Sequence, residues 1–237
     1  MFSFFVNELS MQNKFIIENK DFHHIVNVIK LKIGEKIFCI YNNKKYLCSI
    51  ETIEKNYIIA NIINEVLHNN QQIKINLIVG LIREQKWDYI LQKSTELGVD
   101  KIIPVEFKRN VVTIDQRKLQ NKITRWNEIC LSAAKQSKRV SIPKVCEVVK
   151  NLDELKNYLG ELNLVAYENN KDMSLKEYLK SEFNTISIVI GPEGGFETKE
   201  ISQLKKLGFN IIGLGQNILR AETACLYFVS TIIYEKT

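Results

Sequence analysis

From residue 73 onward, short apolar runs alternate with segments whose apolar residues recur at helical spacing. The apolar runs predict strands at 73–82, 99–107, 162–167, 186–190 and 210–214. The other segments predict helices at 85–97, 115–139, 174–182, 197–207 and 221–235. Strands that are apolar throughout must be buried on both faces, which is typical of a parallel sheet covered by helices. This part of the chain is therefore predicted to have an α/β fold.

The first seventy residues have a different pattern, which predicts mainly β structure with one short helix at 20–29. Strands are expected at the N-terminus and at 36–41, 46–53 and 57–63. A small barrel is the natural way to close such strands.

The change of pattern predicts two domains, a β-barrel at 1–70 and an α/β domain at 73–237. The polar residues 68–72 are interpreted as the linker between them.

The composition argues against several classes of protein. The most apolar run, 224–233, is too short for a membrane helix, so no membrane association is predicted. The five cysteines include no Cys-x-x-Cys pair and none lies near a histidine at metal-ligand spacing. Neither a disulfide framework nor a metal site is expected, and a cytoplasmic location fits these free thiols.

Positive charge is concentrated in one segment. Residues 101–144 contain eleven Lys or Arg residues and three acidic residues, whereas the whole chain has a net charge of +6. Such a segment is typical of a phosphate-binding face, although a solvated helix face has the same composition.

Two glycine-containing loops follow predicted strands. The first is Gly191-Pro192-Glu193-Gly194-Gly195-Phe196, after the strand at 186–190. Its glycines allow a ligand to approach the backbone closely. Because Glu193, Glu197 and Glu200 add negative charge there, the loop favours a cationic ligand over a pyrophosphate.

The second loop begins Gly213-Leu214-Gly215 and continues into Arg220-Ala221-Glu222-Thr223. Ile218 stands where a dinucleotide-binding fingerprint needs its third glycine, and the chain has no Gly-Lys-Ser/Thr. In open α/β sheets ligands bind at the carboxyl ends of strands, so the two loops together predict a ligand pocket.

At these loops the sequence resembles the SPOUT RNA methyltransferases, and specifically the RsmE family. The matching pieces are Ile190-Gly191-Pro192-Glu193-Gly194-Gly195-Phe196, Leu214-Gly215-x-x-Ile218-Leu219-Arg220-x-Glu222-Thr223-Ala224 and the upstream Gln92-Lys93-Ser94-Thr95-Glu96-Leu97-Gly98-Val99. The resemblance implies an N-terminal PUA-like β-barrel and a C-terminal SPOUT α/β domain with a trefoil knot. It also implies a homodimer that methylates uridine N3 in 16S ribosomal RNA, using S-adenosylmethionine.

The resemblance assigns the cofactor residues, whereas the catalytic and RNA-contact candidates are chosen by their position beside the second loop and by their positive charge. The cofactor would be bound by Gly191, Pro192, Glu193, Gly194, Leu214, Gly215, Ile218 and Leu219, with Ala166 and Tyr167 as a third wall. Arg220 is the candidate for stabilising charge on the uridine, and Glu222 is the candidate proton acceptor; a salt bridge and a helix cap are their alternative roles. RNA contacts are expected from Lys30, Arg83, Lys86, Arg109, Lys135, Lys138 and Arg139.

Two other functions remain open from the sequence. One is a SPOUT methyltransferase acting on a ribose 2′-OH or a transfer-RNA guanine. The other is a non-catalytic RNA-binding or assembly factor that has kept the fold.

Overall fold

The computed structural model describes residues 1–7, 13–67, 73–168 and 175–236. The chain divides into two compact units, the first from Met1–Asn70 and Ala134–Ser141, the second from Gln71–Ala133 and Ile142–Thr237. The linker predicted at 68–72 and the first residue of the helix predicted at 174–182 lie outside the described residues.

The first unit contains a five-stranded mixed sheet. Its strands are β1 (Ser3–Phe5), β2 (Lys14–Glu18), β3 (Lys36–Tyr41), β4 (Lys44–Ile53) and β5 (Tyr57–Val66). They lie in the order β1-β3-β4-β5-β2, and only β1 and β3 pair in parallel. A short helix, α1 (Asn19–His23), continues into a π-helical segment at His24–Ile29. The sequence did not predict β2.

The sheet of the first unit curves into a half-barrel around its own core. The β4–β5 ladder changes register at Leu47/Cys48 and at Ile50/Thr52. Such irregularities bend a strand and increase its twist. The enclosed core contains the fully buried side chains of Phe15, Ile37 and Ile58. The barrel-like fold predicted for this part of the chain is confirmed.

The second unit contains a six-stranded sheet in which every pair of neighbours is parallel. Its strands are β6 (Lys74–Gly80), β7 (Lys101–Val105), β8 (Lys144–Val145), β9 (Leu162–Ala166), β10 (Thr185–Ile190) and β11 (Asn210–Ile212). The order across the sheet is β11-β9-β10-β6-β7-β8. The predicted α/β class is therefore confirmed. Among the strands that the structure describes in this unit, β8 alone was not predicted from the sequence.

Helices separate most of these strands. They are α2 (Glu84–Glu96), α3 (Gln116–Gln136), α4 (Leu175–Leu179), α5 (Thr198–Lys206) and α6 (Ala221–Lys236), with a 3-10 segment at Leu152–Tyr158. Gly98, just after α2, has the positive φ (+102°) expected of a residue that ends a helix. Across the residues that the structure describes, the helices are all too short or too polar to cross a membrane.

Apolar side chains cover both faces of the parallel sheet. Leu77 on β6 belongs to a core that includes Trp87 of α2 and Phe228 of α6. Its neighbour Ile78 belongs to a separate core with Leu204 of α5. Successive side chains of a strand point to opposite faces, so the two cores lie on the two sides of the sheet. The continuous apolar run of β6 is therefore explained by burial on both faces.

Strand order brings three loops to one place. β9 lies between β10 and β11, and all three run in the same direction. Their carboxyl ends therefore meet at one edge of the sheet, where ligands bind in open α/β folds.

Candidate active site

The loops that follow β9, β10 and β11 enclose a pocket of about 470 Å³. Ala166, Tyr167 and Glu168 come from the end of β9, the segment 190–196 from β10, and the segment 213–221 from β11 and the start of α6. A volume of this size is within the range of small-molecule sites, which is roughly 300–1,000 Å³.

The pocket wall includes every residue that the sequence assigned to cofactor binding. These are Gly191, Pro192, Glu193, Gly194, Leu214, Gly215, Ile218 and Leu219. Arg220, one of the two catalytic candidates, also lines the pocket, and its side chain is exposed. Glu222 is not among the lining residues, although its neighbour Ala221 is.

The loop after β10 is held against the segment that follows β7. A Cβ atom added to Gly194 would lie 2.5 Å from the carbonyl oxygen of Arg109, so only glycine fits there without movement. Next to it, the buried Glu200 accepts the backbone N–H of Lys108 (2.8 Å) and, as part of the α5 capping box, that of Glu197 (2.8 Å). Glu200 is therefore a structural anchor of this loop.

The loop after β11 is open on its solvent side. Gly215 has a φ of +117°, a conformation that side chains rarely adopt, and no atom lies within 4 Å of the Cβ position. The side chain of Ile218 is 83% exposed. An apolar residue this exposed at the edge of a pocket is available to contact a ligand or a partner.

A lysine and two carboxylates meet beside the pocket. The Lys86 ammonium of α2 lies 3.5 Å from Oε1 of Glu193 and 3.5 Å from Oε2 of Glu222. The Arg83 N–H, at the start of α2, also donates to Oε1 of Glu193 (3.4 Å). Oε2 of Glu222 is buried and accepts no hydrogen bond from the described residues, so its contact with Lys86 is an ion pair only. The cluster links α2, the β10 loop and α6.

Glu222 also influences a neighbouring thiol. Burial raises the pKa of Cys225, and the negative charge of Glu222 raises it further. This thiol therefore stays protonated at neutral pH.

Glu168 is a pocket residue that sequence reasoning missed. It lines the pocket beside Tyr167, and its Oε1 lies 3.1 Å from the Cβ position of Gly195. Its place directly after the apolar run of β9 was the available signal, because ligand-binding residues follow the ends of parallel strands.

The residues predicted to contact RNA are distributed over both units. Lys30, Lys135, Lys138 and Arg139 belong to the first unit, whereas Arg83, Lys86 and Arg109 belong to the second. Lys30, Arg83, Arg109 and Lys138 are exposed.

Three of these predicted RNA contacts already have partners within the protein. Lys135 forms an ion pair with Asp21, and Arg139 donates to Ser141. Lys86 lies between the two carboxylates described above, so its position favours a role in the pocket over a phosphate contact.

Family models identify the class of protein. One, described as an RNA methyltransferase domain, matches residues 69–233, and another, described as an RNA methyltransferase PUA domain, matches residues 17–63. The α/β unit is thus an RNA methyltransferase domain.

Similar proteins identify the family more closely. The chain is 35% identical to the ribosomal RNA small subunit methyltransferase E of Mesomycoplasma hyopneumoniae, over 98% of this chain and 99% of that protein. It is 33% identical to the Bacillus subtilis protein of the same name, over 93% of this chain and 90% of that protein. The chain belongs to the ribosomal RNA small subunit methyltransferase E family. The family and the enzyme class predicted from the sequence are confirmed.

Solved structures of similar proteins agree in fold and contain the expected cofactor. A ribosomal RNA small subunit methyltransferase E from Neisseria gonorrhoeae, bound to S-adenosylmethionine, superposes with a TM-score of 0.85 at 28% identity, covering 98% of this chain and 96% of that one. A putative methyltransferase from Legionella pneumophila with the same bound cofactor has a TM-score of 0.86 at 27% identity, with the same coverage. The cofactor predicted from the sequence is thereby confirmed for the family.

Proposed function

We propose that this chain transfers the methyl group of S-adenosylmethionine to N3 of a specific uridine in the 16S ribosomal RNA of the small subunit. The observation that carries the proposal is the pocket at the carboxyl ends of β9, β10 and β11, with Arg220 on its wall. The names of the similar proteins support ribosomal RNA of the small subunit as the substrate.

The residues of the pocket fit S-adenosylmethionine by charge. This cofactor has a cationic sulfonium, a cationic ammonium and an anionic carboxylate. The charged side chains that line the pocket are Glu168, Glu193, Lys86 and Arg220, so that both signs are available. A wall that offers both carboxylates and cations favours a ligand of mixed charge, because a ligand of one sign alone would meet like charges on part of the wall.

In this proposal the two glycine loops hold different parts of the cofactor. Gly191, Pro192, Glu193 and Gly194 line the methionine side. Leu214, Gly215, Ile218 and Leu219 enclose the adenosine, largely through backbone groups. The β9 end, with Tyr167, forms the third wall.

The cofactor, when bound, supplies a methyl group activated by the sulfonium, and the protein supplies placement and charge. Uridine N3 carries a proton and lies on the pairing edge of the base, so the target must be unpaired or flipped into the pocket. Arg220 stabilises the negative charge that the uridine gains as this proton leaves. Glu222, the neighbour of the pocket-lining Ala221, is the proposed proton acceptor; its Oε2 is buried and paired with Lys86, so this oxygen is not the one that takes the proton.

The first unit, matched by the PUA model, is proposed to hold RNA. Exposed Lys138 and Lys30 are its candidate phosphate contacts. Each phosphate that a basic side chain neutralises makes binding more salt-dependent.

A homodimer is part of the proposal. Tyr227 and Tyr234 of α6 are 48% and 82% exposed, and Ile218 at the pocket edge is 83% exposed. Exposed aromatic and aliphatic residues of this kind favour a protein interface. Light scattering during size exclusion would give twice the chain mass for a dimer; a single-chain mass at micromolar concentration would contradict it.

The trefoil knot and the cytoplasmic location stay predictions.

The proposed activity is tested by transfer of labelled methyl from S-adenosylmethionine to small ribosomal subunits that lack this modification, followed by nucleoside analysis. N3-methyluridine is the expected product. Label in another nucleoside would assign the chain to a different RNA target. If cofactor and RNA both bind but no label is transferred, the assembly-factor alternative is favoured.

A further inference from the structure

Lys86 occupies a helix position that is electrostatically unfavourable for a cation. It belongs to the first turn of α2, where the partial positive charge of the helix N-terminus disfavours a cation. By contrast, Lys93, in the last turn of the same helix, has the favourable position and pairs with Glu96 at 2.9 Å. Helix stability therefore does not explain Lys86.

The surroundings of Lys86 explain its position better. Its ammonium lies 3.5 Å from a carboxylate oxygen of both Glu193 and Glu222, and these side chains are only 20% and 16% exposed. Without Lys86, two partly buried negative charges would face each other beside the pocket. Lys86 reduces the charge of this group from −2 to −1, and it lines the pocket itself.

The charge of this cluster bears directly on the proposed cofactor. S-adenosylmethionine has a net charge of +1, whereas its demethylated product, S-adenosylhomocysteine, has no sulfonium and a net charge of zero. Negative charge beside the pocket therefore favours the cofactor over the product. However, the sulfonium charge disappears as the methyl group leaves, so excess negative charge stabilises the ground state more than the transition state and slows transfer.

We propose that Lys86 is a specificity-determining residue, which limits the preference of the pocket for S-adenosylmethionine over S-adenosylhomocysteine by neutralising part of the charge of Glu193 and Glu222. The inference rests on the proposed function, because it assumes this cofactor. It gives Lys86 a role distinct from the RNA contact predicted from the sequence.

The test is isothermal titration calorimetry of the full chain with each of the two ligands. The readout is the dissociation constant of S-adenosylhomocysteine divided by that of S-adenosylmethionine. Lys86→Met should raise this ratio about fivefold, because one compensating positive charge is lost from a partly buried site. Glu193→Gln should move the same ratio in the opposite direction. A purely structural effect would weaken both ligands together and leave the ratio unchanged.

Two further variants serve as controls. Lys86→Arg keeps the positive charge and should keep the wild-type ratio. Lys93→Met makes the same chemical change on the same helix in an ion pair outside the pocket lining, and should leave both affinities and the methyl-transfer rate unchanged.

A kinetic measurement gives an independent readout. Lys86→Met should lower kcat several-fold while binding S-adenosylmethionine at least as tightly as the wild type. A ratio that is unchanged in Lys86→Met, in a wild type that binds both ligands, would overturn the inference alone. A wild type that binds neither ligand would overturn the proposed cofactor and the inference together.

Discussion

Gly194 packs so closely against Arg109 that a Cβ atom added to Gly194 would lie 2.5 Å from the Arg109 carbonyl oxygen. The contact joins the loop after β10, which lines the pocket, to the segment that follows β7. A main-chain carbonyl cannot move aside as a flexible side chain can, so any larger residue at position 194 must displace the loop.

Gly194→Ala should therefore weaken S-adenosylmethionine binding at least tenfold, a loss of about 1.4 kcal/mol or more, as measured by calorimetry. Gly208→Ala is the matched control. Gly208 has a positive φ (+97°) but no atom within 4 Å of its Cβ position. This control should lose about 1 kcal/mol of stability and keep its cofactor affinity. Equal affinity losses in the two variants would mean that the Arg109 contact is not the cause of the loss in Gly194→Ala.

Glu200 should be required for both stability and pocket shape. Its carboxylate accepts the N–H groups of Lys108 and Glu197, and it is 6% exposed. Glu200→Ala leaves these N–H groups without their acceptor and should lower the free energy of unfolding by about 2–3 kcal/mol in urea denaturation. Glu182→Ala removes a fully solvated carboxylate of the same type and should cause no measurable change. A loss below 1 kcal/mol in Glu200→Ala would show that water replaces the carboxylate.

Arg220 should act on catalysis more than on cofactor binding. Its exposed side chain lines the pocket at the start of α6. Arg220→Ala should lower kcat about 100-fold, as expected for loss of a charge-stabilising donor, and change the Kd for S-adenosylmethionine less than threefold. Arg117→Ala, which removes a 90% exposed guanidinium of α3's first turn, is the control and should retain full activity. A large rise in Kd with unchanged kcat would assign Arg220 to cofactor binding instead.

Lys138 and Lys135 should differ in their effect on RNA binding. Lys138 is exposed. It lies near Lys45, whose pKa is lowered by the burial of Lys45 and, as the second cause, by the positive charge of Lys138. Lys135 is already paired with Asp21. Lys138→Ala should reduce the slope of log affinity against log salt concentration by about 0.7–0.9, whereas Lys135→Ala should change it less. Equal slopes in Lys138→Ala and the wild type would exclude Lys138 as a phosphate contact.

Cys225 should be unreactive in the folded protein. Burial, and secondarily Glu222, raise its pKa, so the reactive thiolate is scarce at neutral pH. All five cysteines are free and buried. A thiol reagent such as dithionitrobenzoate should therefore modify fewer than one cysteine per chain at pH 7.5 and all five in guanidinium. At about pH 9 an ordinary thiol, with a pKa of about 8.5, is largely ionised. Cys225 should still react slowly at this pH, because burial and the charge of Glu222 raise its pKa and keep it protonated. Rapid labelling of Cys225 in the native protein would contradict this.

The same raised pKa has a consequence for stability. A thiol that ionises only in the unfolded chain favours unfolding as the pH rises. The contribution of Cys225 to the free energy of unfolding is therefore fully present below the unfolded-state pKa of about 8.5 and declines above it. The stability difference between the wild type and Cys225→Ala should shrink between pH 7 and pH 10. A difference that grows with pH would have the wrong sign for a raised pKa.

Local sequence pattern was sufficient for the elements that bury a face or a stripe along their whole length. The run at 73–82 predicted β6, and the helical spacing at 85–97, with Gly98 after it, predicted α2 and its end. These predictions succeed because burial on one stripe or on both faces imposes a period that neighbouring residues show by themselves. The two glycine loops were also identifiable, since glycine marks close approach and turns wherever it occurs.

Short elements at the sheet edges were decided by pairing across the chain. β8 contains only Lys144 and Val145, and it exists because these residues pair with Lys101 and Ile102 of β7. A two-residue strand has no period of its own, so no local pattern can predict it.

The sequence by itself determined the two patterns of secondary structure, the glycine loops and the family resemblance, because each is carried by residues close together in the chain. Only the tertiary structure decided that β9 lies between β10 and β11, and hence that Glu168 belongs to the pocket wall. It also decided that Lys86 of α2 meets Glu193 and Glu222. The physical reason is that charge pairs and pocket walls form between segments distant in sequence, whose approach is set by sheet order and core packing.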